Sequence, residues 1–115
     1  MSQETVQRIE QNIRQAKEIV EFDKALMRLT GNRDFQKVIQ EGYFKAEAVR
    51  LVHLKADPAM QTLERQTAIV AQIDAIGGLV SYFRTVTFNA SIAMKAIESD
   101  EFTLNDILQE ELTRG

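Results

Sequence analysis

The sequence has no cysteine, and that one absence removes disulfides, thiolate metal ligands and thiol nucleophiles together. It has no tryptophan and a single histidine, His53, so most metal sites and nearly all serine–histidine chemistry lack their parts. One proline and five glycines are too few for a β-sandwich or barrel, which needs turn residues about every 8–12 positions. No apolar run reaches the roughly 18–20 residues of a membrane span. The opening residues, Met1-Ser2-Gln3-Glu4-Thr5, carry neither the basic nor the apolar stretch of a signal peptide, so a secreted protein is not expected. What is present suits a helical chain: 115 residues, 44% apolar, with a net charge of -3. That is the size of one domain, and the expectation is a single helical domain over 1–115.

Apolar spacing predicts the helices. Val6, Ile9, Ile13 and Ala16 line one face of a first helix over about thirty residues. Its stripe then shifts to Ile19, Phe22, Leu26 and Leu29, a drift around the helix that departs from a strict heptad. Gly31 suits a left-handed helix end. Asn32 suits the cap of a short second helix that carries Phe35, Val38 and Ile39 and stops at Gly42. A third helix follows over about 43–55. Asp57-Pro58 predicts a turn over 56–62, with Asp57 or Thr62 as a cap.

The strongest pattern lies between Leu63 and Ile97. Ile69, Ile73, Ile76, Val80, Phe83, Thr87, Ala90, Met94 and Ile97 alternate by four and three, the spacing of an a/d seam. Thirty-five helical residues would run about 50 Å, long for so small a chain. Gly77-Gly78 in its middle predicts either close approach of another backbone or a kink. After Ser99-Asp100 the sequence Thr103-Leu104-Asn105-Asp106 has the form of a capping box. It predicts a short last helix with Phe102, Leu104, Ile107, Leu108 and Leu112 as its apolar side. The fold expected is all-α: an elongated hairpin or bundle of two long helices, two short connecting helices and a short C-terminal helix.

Charge is distributed unevenly. Residues 66–97 carry only Asp74, Arg84 and Lys95, while the other eighty-three residues hold twenty-eight charges. A helix that is neutral all round is buried on several sides, either by its own chain or by another. The off-seam residues Val70, Leu79, Tyr82, Val86, Phe88 and Ile92 favour burial against another chain. Residues 24–55 hold seven Lys or Arg against three acids, and residues 98–115 hold six acids against Arg114. These are two solvated faces, or an acidic tail that pairs with the basic middle of another copy. Basic residues are interleaved with Glu41 and Glu47 and form no strip with stacking aromatics, so nucleic acid is not an expected partner.

Catalytic constellations are missing. The only paired glycines, Gly77-Gly78, lie inside a helix and cradle no phosphate. His53 and Asp57 stand four apart without a second histidine, which predicts a histidine held by packing and no metal. Asp100-Glu101 and Glu110-Glu111 are sequence neighbours that point apart on a helix, not acid/base pairs. Ser81 and Ser91 have no base nearby. No enzyme activity and no cofactor are expected.

Several segments together resemble a known group. They are Asn32-Arg33-Asp34-Phe35, Gly42-Tyr43-Phe44, Glu47 to His53, Lys55 to Gln61, and Gln72-Ile73-Asp74-Ala75-Ile76-Gly77. Over residues 32–78 the chain resembles small helical proteins of tailed bacteriophages, associated with virion or assembly genes. The resemblance implies a non-enzymatic structural or accessory protein of a phage particle, in the head, neck or tail. It brings no site residues with it. Located in the virion or the host cytoplasm, such a protein would contact its own copies or other virion proteins. An assembly chaperone or scaffold-like factor, and a small regulator of a host protein, are the alternatives. The interface expected from the apolar pattern comprises Ile73, Val80, Phe83, Phe88, Ile92, Ile97, Leu104 and Leu108.

Overall fold

A computed structural model describes residues 2–114, and every regular element among them is helical. Helix α1 runs Gln3–Thr30. A continuous helical stretch follows, made of α2 (Arg33–Phe35), a π-helical segment (Gln36–Glu47) and α3 (Ala48–Ala56). A 3₁₀ turn at Pro58–Met60 leads to α4, Leu63–Arg114. None of these helices is long and apolar enough to cross a membrane.

The breaks fall where short polar side chains compete for backbone groups. Asn32 is extended, at φ -75 and ψ 132, and its Oδ1 accepts the Phe35 N–H. That cap stops α1 and starts the next run. Gly31 does not take the left-handed conformation expected of it, since no described glycine has a positive φ; the extended Asn32 makes the turn instead. Asp57 is likewise extended, and its Oδ1 accepts the Ala59 N–H at 2.9 Å. Thr62 Oγ1 accepts the Arg65 N–H at 3.3 Å. The loop is then tied by side chains with no pattern in sequence. Gln66 donates to the Lys55 and Met60 carbonyls at 2.9 and 2.8 Å, and Gln61 to those of Lys55 and Asp57 at 2.9 and 2.7 Å.

Gly42 does not end a helix. Glycine costs about 1 kcal/mol in a helix interior but keeps its N–H, so it weakens the run without breaking it. Gln40, Gly42, Tyr43 and Phe44 follow Ile39 as half-buried positions, and i→i+5 pairing widens the turn that carries them. A Cβ on Gly42 would lie 3.3 Å from the Lys37 carbonyl, so the glycine fits this widened turn.

The short C-terminal helix is also corrected: it is the end of α4. Ser99, Asp100 and Thr103 are weak helix formers, each unfavourable by less than about 0.7 kcal/mol, and none is a breaker. Thr103 Oγ1 donates to the Ser99 carbonyl at 3.0 Å, one turn back, and caps nothing. Ile97, Asp100, Leu104 and Ile107 keep the three–four inward spacing across the supposed break, so burial carries the helix through.

The chain divides into two compact units, residues 26–85 and residues 1–25 with 86–115. In the first, Leu51, Ile69 and Ile76 form a buried cluster, with Tyr43, Phe44, Ala48, Leu54, Met60 and Ile73 packed around it. Full burial of Leu51 and Ile69 stabilises this unit by about 1.5–3 kcal/mol each. The Phe83 ring lies 6.1 Å from Phe35 and 6.0 Å from Phe44, within the range of favourable aromatic pairs.

Gly77 and Gly78 do not mark the close approach of another backbone. Nothing lies within 4 Å of a Cβ built on either. With helical backbone and open space, Gly77→Ala and Gly78→Ala should each stabilise the chain by about 0.5–1 kcal/mol. A rise in the urea midpoint checks this, and a fall would show that a close neighbour occupies that space.

Candidate protein interface

In the second unit the two helix segments run in opposite directions. Thr87 Oγ1 donates to Asp23 Oδ1 at 2.8 Å, and Lys17 Nζ lies 3.9 Å from Glu101. Val6 and Glu10 share a groove with Leu108 and Glu111. Between them runs a seam of Val6, Ile9, Ile13, Ala16 and Val20 against Val86, Ala90, Ala93, Ile97, Leu104 and Ile107, all buried or half-buried. Ala16, Ala90 and Ala93 are buried. Small side chains at such positions let helix axes approach to the short end of the usual 8–10 Å.

This seam differs from the expected one on both helices. On α1 the inward positions after Ala16 are Val20, Asp23, Leu26 and Thr30, so Ile19, Phe22 and Leu29 are left exposed. On α4, Val86 and Ala93 face inward where Thr87 and Met94 were expected. Ala93 is buried on the seam, and Met94, one position further round the helix, is exposed. Thr87 instead sits at the edge, where its hydroxyl satisfies Asp23.

The two flanks of the helix pair differ in chemistry. One is a groove of about 430 Å³ lined by Asn12, Gln15, Ala16, Ile19, Asn89, Ile92, Ala93, Ala96 and Asp100. Its single charge is Asp100. Ile19 and Ile92 line this groove, whereas Phe22 and Phe88 do not. These four residues are 43% (Ile19), 57% (Phe22), 62% (Phe88) and 53% (Ile92) exposed, too much for members of an internal core. The other flank, a groove of about 480 Å³, is lined by Lys17, Val20, Glu21, Lys24, Met94, Ile97 and Glu98. It is charged and internally paired, with Lys24 3.1 Å from Glu21. Exposed pairs of this kind contribute about 0–1 kcal/mol, and they keep that flank solvated.

The residues expected at an interface separate into two sets. Ile73 packs on the Leu51 cluster, and Phe83 sits between Phe35 and Phe44. Val80, Ile97 and Leu104 are half-buried. Phe88, Ile92 and Leu108 are exposed. The structure brings Ile92 together with Ile19 in one groove, and it leaves Ile19 and Phe22, two residues that the apolar spacing had placed in the core, exposed. The signal that could have found them is the three–four alternation itself. Continued from Ile9, Ile13 and Ala16, it selects Val20 and Asp23, but Asp23 is polar and the more apolar stripe beside it drew the assignment away.

Elsewhere the chemistry is sparse. His53 is exposed, and among the described residues no group of three or more His, Cys, Asp or Glu could hold a metal ion. In the unit formed by residues 26–85, a small cleft of about 260 Å³ includes Tyr43, Gln72 and an Arg50 whose Nε donates to Glu47 at 2.7 Å. Compared with protein-family models, curated proteins and solved structures, the chain matches none.

If the alanines set the spacing of the pair, enlarging one should force it apart. Ala90→Leu should cost about 1–3 kcal/mol in urea unfolding. Ala96→Leu, exposed on the neutral flank, should stay within about 0.5 kcal/mol. Equal effects would contradict the seam.

Proposed function

We propose that this chain is a non-enzymatic structural or accessory subunit of a tailed-phage particle that works by helix–helix contacts with protein partners. The observation that carries the contact part is the neutral flank of the helix pair. Ile19 and Ile92 stand exposed beside neutral amides in one groove, while the other groove carries Lys17, Glu21, Lys24 and Glu98. A groove with exposed large apolar side chains and few charges suits a protein contact. The particle setting is supported by the resemblance of residues 32–78 to small phage proteins. On this reading the protein resides in the virion, or in the host cytoplasm before assembly. Ile92, from the interface expected on sequence, makes the contact, and Ile19 joins it.

Quantitative mass spectrometry of purified particles from the encoding phage tests the role. A fixed copy number per particle is expected. Recovery only from immature intermediates would make the chain an assembly factor instead, and recovery only with one host protein would make it a regulator; either result overturns the virion role.

A further inference from the structure

We propose that the C-terminal end of α4 in one copy docks on the outer side of α3 in a second copy, an acidic apolar stripe against a basic one. This contact uses a surface separate from the groove with Ile19 and Ile92, and it does not rest on the particle setting.

The basic stripe is read off α3. Leu51 is fully buried, so the side of the helix turned away from it faces water. Val49, Val52 and Ala56 recur at steps of three and four, which puts them on one side, and all three are exposed. Lys45 precedes Val49 by four residues and Lys55 follows Val52 by three, so a cation stands near each end of the valine pair. No acid occurs between residues 48 and 56. The nearest ones, Glu41 and Glu47, are engaged by Lys45 at 3.3 Å and by Arg50 at 2.7 Å. Lys55 belongs to none of the ion pairs among the described residues.

The acidic stripe lies on the last part of α4. Glu98, Glu101, Asn105, Leu108 and Leu112 recur at steps of three and four and share a side, and all five are exposed. Beyond residue 97 the one cation is Arg114. Charge complementarity selects the occupant. Set against its own image, either stripe brings like charges together; set against the other, it brings Lys to Glu and valine to leucine. Each copy carries one stripe of each kind, and its own fold leaves both exposed. The contact is therefore heterologous, one copy's acidic end on the next copy's basic face, and such contacts build rings or filaments from a single chain type.

Charge reversal tests the pairing. One variant carries Lys45→Glu with Lys55→Glu, the other Glu98→Lys with Glu101→Lys; all four positions are exposed. By light scattering at low salt the unaltered chain should exceed the mass of one chain, and its mass should fall as salt is added. Each variant alone should be monomeric with its helical circular dichroism unchanged. An equimolar mixture of the two should associate again, because the acidic end of the first meets the basic face of the second. A monomeric unaltered chain, a variant that still associates alone, or a mixture that stays monomeric overturns the proposal. Should a variant lose helicity, Val52→Asn or Leu112→Asn, on the same two stripes, replaces it; each should lower the mass of the assembly, and an unchanged mass overturns the proposal.

Discussion

A pair of helices buries one stripe of each helix, and everything distinctive about the unit formed by residues 1–25 and 86–115 follows from that constraint. The stripe chosen is the narrow one, built on Ala16, Ala90 and Ala93. Burying that stripe gains dispersion contacts along the seam and leaves the other faces of both helices outside it. Ile19, Phe22, Phe88 and Ile92 lie off that stripe and are exposed. The unit formed by residues 26–85 solves the same problem differently. There the π-helical segment and α3 supply extra side chains, and Leu51, Ile69 and Ile76 are enclosed by a ring of aromatic and aliphatic neighbours.

Charge placement is consistent with this division. Acidic residues gather towards the C-terminal end of α4, and one of them, Glu101, lies near Lys17. Between residues 66 and 97 only three charges occur. Low charge on that stretch has two separate causes in the structure: part of it faces the Leu51 cluster, and part forms the neutral flank. A single explanation for the whole stretch would have missed one of them.

Helix boundaries made by specific hydrogen-bonding chemistry were legible in the sequence. Asn32 and Asp57-Pro58 each leave a mark that a reader can recognise, because few residue types satisfy an orphan N–H or forbid a helical turn. Boundaries inferred from weak preferences were not. Gly42 and the Ser99–Thr103 stretch lower helix stability by fractions of a kcal/mol up to about 1, which packing overrides. The interface was partly legible: Phe88 and Ile92 stood out as apolar residues off the seam. Ile19 and Phe22 did not, since hydrophobicity ranks them above Asp23 and only the three–four register excludes them. That register is legible in α1 alone, but it asks the reader to prefer a polar Asp23 to the apolar stripe beside it.

The most direct measurement is the solution mass of the purified chain by light scattering across a hundredfold concentration range. A helix contact between copies predicts a mass above the 13.1 kDa of one chain over the upper part of that range, with dissociation on dilution. A constant single-chain mass throughout would contradict it, and would mean that Ile19, Phe22, Phe88 and Ile92 face water without a second copy.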